Sequence, residues 1–326
     1  MLPVFLTIDT EFSSGMFGQG AARDWEDNFR TCIACETSKG DVGIFYQMDV
    51  ADRHGLKLVF FVDPMPALVW GIEPIKRVVG PILERGHDVQ LHLHTEWLAF
   101  AESNPLGSRT GKNLADFSAE DQLVLLTVAL ETLMAAGAPF PTAFRAGNYG
   151  ADDNTLRCLS QLDIPFDTSF PPGLDQSDCR LSFGAHVLTP TQMHGVTELP
   201  IGAISSRGDS RRHVQLTAMS DWELRDATRH AVAAGWPALV IVSHSFEMMN
   251  RKRGTSNRIV RYRFEQYCEW LAGQSAARTA DLRDPGLNDL LGCDSLTEPT
   301  QLLRHNPTRE LLRVGEQAVA NLLYSR

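Results

Sequence analysis

Seven short apolar runs, each of strand length and most leading into a longer amphipathic stretch, constrain this chain more than anything else in it. They are Val4 to Ile8, Leu58 to Val62, Asp88 to His92, Ala143 to Arg145, Phe166 to Thr168, Thr197 to Leu199 and Ala238 to His244. Strand-then-helix repetition is the pattern of βα units whose strands lie parallel. Seven such units suit a barrel better than an open sheet. Between the runs the helices are signposted. Ser118, three residues before Asp121, opens Gln122 to Ala136, and Gly137 and Pro139 close it. Asp152 to Gln161 and Asp221 to Ala234 read as further helices, the second ended by Gly235. Ala101 to Asn113, rich in Gly, Ser, Asn and Lys and without a period, reads as a loop over one end of the barrel.

Residues 1–274 are therefore read as the barrel and 275–326 as a helical C-terminal extension. In that extension Leu-rich pieces are separated by Pro285, Pro299 and Pro307, and Asn306-Pro307 with Glu310 starts a helix. Its stripe of Leu311, Leu312, Val314, Val319, Leu322 and Leu323 is expected to pack on the barrel or on a partner chain, the latter making a homo-oligomer.

The balance of 30 Lys+Arg against 40 Asp+Glu, a net charge of −10, argues against general affinity for a phosphate backbone, so nucleic acid is not an expected partner. Apolar runs such as Ala238 to Val242 fall far short of the roughly 20 residues that cross a bilayer, so no membrane span is expected. The N-terminus lacks a basic region and a cleavage site, and Asp9 comes too early for a signal peptide. Cys32, Cys35, Cys158, Cys179, Cys268 and Cys293 are too scattered for a disulfide framework. Reduced thiols and a cytoplasmic location follow as expectations. Cys32 and Cys35 form a lone C-x-x-C in a polar segment and read as two small residues on a helical turn.

Polar groups gather at the C-terminal ends of the expected strands, which in a parallel barrel share one face. Asp9 and Glu11, two apart, leave the same side of an extended chain and can approach one site. His92 and His94 share a strand face, while His92 and Glu96 meet if the chain turns helical after the strand; either pair can furnish ligands to a zinc-like cation. Arg145 at a strand end needs a carboxylate or an anion, and Asp167 is its natural partner if the two strands are neighbours. His244 follows an apolar strand at a position suited to general acid or base work. Trp97, Tyr149 and Phe246 stand beside these clusters as candidate substrate contacts, and Arg211 to His213 with Arg251 to Arg253 offer charge to an anionic group such as a phosphate.

In order, these clusters resemble the motifs of the polysaccharide deacetylase family, the NodB-homology type of the carbohydrate esterase 4 superfamily. Thr7-Ile8-Asp9-Thr10-Glu11 resembles the first motif in a D-x-D/E form. Gly86-His87-Asp88 with His92 resembles the second, Phe144-Arg145-Ala146-Gly147-Asn148-Tyr149 the third, Asp167-Thr168-Ser169 the fourth and Val242-Ser243-His244 the fifth. The resemblance spans roughly residues 3 to 250. It implies a distorted (β/α)7 barrel that holds one divalent cation, zinc by preference, and hydrolyses an acyl group from a carbohydrate. By motif position Asp9 would be the general base, Glu11 and His92 metal ligands, Arg145 the residue orienting Asp9, Asp167 the tether of Arg145, and His244 the general acid. The family's second histidine falls at Glu96, so either Glu96 or His94 completes the ligand set. Two other outcomes fit the same residues: a glycan-binding or regulatory barrel that has lost the reaction, and a hydrolase of non-sugar amides.

Overall fold

The computed structural model describes residues 1–174, 176–184, 187–208, 210–251, 253–291 and 301–324. Leu2–Thr10 (β1) is buried along almost its whole length, as expected of a parallel strand covered on both faces. Eight more strands join it: Val59–Val62 (β2), Asp88–Leu93 (β3), Ala143–Ala146 (β4), Phe166–Asp167 (β5), Thr191–Met193 (β6), Val196–Glu198 (β7), Leu239–His244 (β8) and Ala277–Thr279 (β9). The order across the sheet is β8-β1-β2-β3-β4-β5-β7-β6, with β9 beside the start of β1. All pairs are parallel except β6 with β7. The seven expected strands are all present, with ends moved by one or two residues.

Between β7 and β8 the circle is completed by single bridges, Ile201 to Val240 and Gln215 to Val242. At the first of these Gly202 donates its N–H to the Val240 carbonyl at 2.9 Å, an approach a side chain would block, since a Cβ there would lie 2.9 Å from the same oxygen. The result is a distorted (β/α) barrel.

Two buried clusters follow from the period-two alternation of the strands. One, with Phe5, Val59, Phe61, Ala143, Phe166 and Val240, fills the barrel interior; the other, larger, joins the opposite strand faces to the surrounding helices. The interior is stoppered at the N-terminal ends of the strands by Ala280, Leu282, Leu287 and Leu290. Leu282 donates its N–H to Asp88 at 2.9 Å and accepts from the Thr142 hydroxyl at 2.8 Å, while Arg283 pairs with Asp88 at 3.0 Å. Asp88 of the G-H-D sequence thus anchors a floor at the end opposite the site. The boundary expected after residue 274 cuts through this unit, because β9 and the floor lie beyond it.

The main helices are Ile44–Arg53 (α1), Glu73–Glu84 (α2), Ala119–Ala135 (α3), Asp153–Gln161 (α4), Asp221–Ala233 (α5), Arg258–Ala272 (α6) and Pro307–Tyr324 (α7). Ser118 caps α3, Asp152 caps α4, and Ser220 with Glu223 forms a reciprocal capping box on α5. The start of α7 is held by charge. Arg263, 2% exposed, bonds Glu316 at 2.7 Å, and Arg309 pairs with Asp226 at 3.1 Å. Leu311, Leu312 and Val314 of the expected stripe are exposed instead of packing on the barrel. The side chains of Val319, Leu322 and Leu323 lie outside the described residues, as do Cys293 and Pro299. Cys32, Cys35, Cys158, Cys179 and Cys268 are free thiols; the first lies in an irregular helical turn, Phe29–Ile33, and Cys35 just beyond it. No helix among the described residues is long and apolar enough to cross a membrane.

Candidate active site

Strand register gathers the site. Asp9 of β1 lies level with His244 of β8, and His92 of β3 level with Arg145 of β4, all at the C-terminal ends of their strands. Glu11 follows Asp9 by one period of the strand, and His94 follows His92 likewise, so each pair keeps one face. Glu11, His92 and His94 present ligand atoms within 4.8 Å of one another. The same Glu11 oxygen lies 3.5 Å from His92 Nε2 and in close contact with His94 Nε2. The two rings stand edge to face, with centroids 4.9 Å apart.

Each imidazole is oriented from behind. His92 Nδ1 is 2.7 Å from the Arg145 carbonyl, which turns its Nε2 toward Glu11. His94 Nδ1 is 3.1 Å from Glu96, whose other oxygen accepts from the Asn148 amide at 3.0 Å. Glu96 is therefore outside the three-donor cluster and positions His94. Burial works against charge on Glu11, but His94 and His92 outweigh it and hold the carboxyl well below its ordinary range. Burial likewise disfavours charge on His94, yet Glu11 and Glu96 hold it well above the usual histidine value. One oxygen and two oriented nitrogens, each backed by a hydrogen-bond partner, fit a zinc-like divalent cation.

Gly147 permits this packing. A Cβ at that position would lie 2.7 Å from the His94 ring. The next two residues, Asn148 and Tyr149, both adopt left-handed backbone, φ 56° and 57°, which turns the chain sharply over the mouth.

Beside the cluster, Asp9 is buried and bound to Arg145 at 2.5 Å. Arg145 also donates to the Thr7 hydroxyl at 2.9 Å and the Thr168 carbonyl at 3.2 Å, and lies 4.3 Å over the Phe61 ring. The other Asp9 oxygen is 3.8 Å from His244 Nε2. His244 Nδ1 is 3.0 Å from Glu247, which accepts as well from Ser243 at 3.0 Å and from Gln215. Burial pushes the His244 pKa down, but Glu247, then Asp9 and Glu11, push it up to about 9.

Two sequence expectations are corrected. Asp167 does not pair with Arg145. Phe166 faces the interior, so Asp167 points outward, where it accepts from the Ser169 hydroxyl at 2.7 Å, and burial raises its pKa and that of the equally buried Glu198. Trp97 is fully buried against Trp70, Phe17 and Phe100 and offers no face to a substrate. Tyr149 packs on the interior cluster, and Phe246 lines a cavity of about 200 Å³ with Glu11, His94, Glu96, Asn148 and Arg251.

Sequence reasoning gave no role to Glu247 or Asp63. Glu247 stands three residues after His244, a spacing that signals a partner once the strand ends in a turn. Asp63 directly follows an apolar strand, as Asp9 nearly does. Its N–H donates to Thr10 at 3.1 Å, which continues the ladder and sets it between Glu11 and His92. It accepts from the His94 and Met65 N–H groups at 3.3 and 3.1 Å, its second oxygen is buried without a partner, and burial pushes its pKa up to about 6.

The barrel shares its fold with a solved polysaccharide deacetylase. A provisionally named polysaccharide deacetylase from Mycobacterium smegmatis superimposes on 92% of this chain and 95% of its own, with a TM-score of 0.57 at 14% identity. At that identity the likeness is one of fold. A 4-alpha-glucanotransferase from Thermococcus litoralis is 12% identical with a TM-score of 0.47, over 94% of this chain and 42% of that one. A family 4 carbohydrate esterase from Streptomyces lividans, in complex with acetate, is 11% identical with a TM-score of 0.37, over 86% and 92%. Neither a protein-family model nor a curated protein matches the chain.

Proposed function

We propose that this chain is a cation-dependent hydrolase that removes an acyl group, acetyl by preference, from a carbohydrate. The observation that carries the reading is the Glu11, His92 and His94 cluster flanked on one barrel mouth by Asp9 held on Arg145 and by His244 held on Glu247. Glu11, His92 and His94 would hold the ion, zinc by the character of its donors. The ion, when bound, polarises the acyl carbonyl and acidifies water. Asp9, fixed by Arg145, accepts a proton from the water whose oxygen adds to the acyl carbon. His244, fixed by Glu247, gives its proton to the sugar nitrogen or oxygen as the bond to the acyl carbon breaks, and the acid is released. That His94 joins the cluster where Glu96 does not supports this reading over a glycan-binding barrel that has lost the reaction.

Acetate release from acetylated sugars and metal content are the tests. Glu11→Ala and His92→Ala are expected to lose bound metal, and Asp9→Asn to keep the metal and lose about 10²-fold or more in rate. Full metal content and full activity in both ligand variants would overturn the proposal. Hydrolysis of a cyclic amide with no acetate released from any sugar would move the substrate to the non-sugar class.

A further inference from the structure

We infer that Arg251 is an anion-binding subsite of the cleft, and that the substrate carries a carboxylate or phosphate group near the acyl group that leaves. The inference rests on the hydrolase reading above and adds the substrate's charge to it. Arg251 lines the same cavity as Glu11 and His94. Its guanidinium lies 4.3 Å over the Phe246 ring, and that ring is 5.2 Å from His244. Stacking fixes the plane of the guanidinium while leaving its N–H edge available, the geometry suited to two-point recognition of a carboxylate or phosphate.

Unlike the arginines packed into the barrel wall, Arg251 has no carboxylate among the described residues. Arg145, Arg212 and Arg263 are each engaged by an acid at 2.7 Å or less. Among the described residues no acid lies within ion-pair distance of Arg251, and its one polar contact is the Cys32 sulfur at 3.9 Å. Burial raises the pKa of that thiol, so it is neutral and a weak acceptor. The two acids of the cavity are committed elsewhere, Glu11 to both histidines and Glu96 to His94 and Asn148. The exposed guanidinium therefore keeps its donors for a group that arrives from solvent, at the edge of the cleft where the rest of a bound sugar must lie.

The test is calorimetric titration of the zinc-loaded protein with three sugars: neutral N-acetylglucosamine, N-acetylmuramic acid, which adds a carboxylate, and N-acetylglucosamine 1-phosphate. At least one charged sugar is expected to bind about ten- to a hundredfold tighter than the neutral one, and which one it is separates a carboxylate from a phosphate source. Arg251→Gln should erase that preference, and Arg251→Lys, which keeps charge and loses the planar fork, should retain only part of it. Equal affinity for all three sugars, no binding of either charged sugar, or a preference that persists in Arg251→Gln overturns the inference. Acetate assayed on the same sugars keeps the two readings apart. Release without charge preference removes the subsite and leaves the hydrolase, whereas an Arg251-dependent preference without release removes the hydrolase and leaves the subsite.

Discussion

Gly147 and Glu247 shape the site without touching a substrate. A methyl at Gly147 would overlap the His94 ring, so Gly147→Ala is expected to displace that ring, weaken zinc affinity by tenfold or so, and cost about 1–3 kcal/mol of stability; equilibrium dialysis and urea unfolding measure both. Glu247 acts on His244 through a hydrogen bond and through its charge. Because the folded pKa of His244 is raised to about 9, its contribution to stability is complete below the ordinary histidine value and is lost as pH rises through about 9. A general acid with that value gives an activity limb that falls over the same range. Glu247→Gln should move the limb to lower pH by about a unit, read from the pH–rate profile; an unmoved limb would mean that Glu247 does not tune His244. Asp9, Glu11, His92, His94, Arg145 and His244 were legible in the sequence because each is a polar residue where an apolar strand runs out. Asp167 satisfied the same rule and failed, since a two-residue strand says nothing about which of its faces is inside. Trp97 failed because it lies within a 3-10 turn, Thr95–Ala99, where no strand period reports direction.

At the scale of elements, helix starts are the best-specified features of the chain. Ser220 caps Glu223 at 3.2 Å and Glu223 returns a bond to the Ser220 N–H at 2.9 Å. Ser220→Ala should cost about 1 kcal/mol and leave metal binding intact, which thermal unfolding with parallel zinc titration would check. The docking of α7 was not legible. Its apolar stripe pointed to packing on the barrel or on a partner chain, whereas among the described residues the contacts that hold it are Arg263 with Glu316 and Arg309 with Asp226. Glu316→Gln leaves the Arg263 guanidinium buried, with the Leu216 and Thr217 carbonyls as partners, and is expected to lower stability by about 1–3 kcal/mol in urea unfolding. No loss would show that those carbonyls suffice.

Across the whole molecule a cation held by Glu11, His92 and His94 would tie β1 to β3 across β2, through residues more than eighty positions apart in sequence. Zinc at a hundredfold excess over its dissociation constant should add about 2.7 kcal/mol to folding stability, seen as a rise in Tm that EDTA reverses; a Tm indifferent to both would count against the site. The barrel itself was legible from seven apolar runs. Its floor was not, because Ala280, Leu282, Leu287 and Leu290 carry no strand period and are recognised only by the hole they fill. That arrangement bears on how the chain is made. β1 leaves the ribosome before the strands that pair with it, yet one of its edges is filled by β8 at residues 239–244 and part of the other by β9 at 277–279. At roughly 5–20 residues per second of synthesis, the nascent strand waits on the order of ten seconds or longer with that edge unpaired. Such an edge is a template for wrong pairing until the barrel closes behind it.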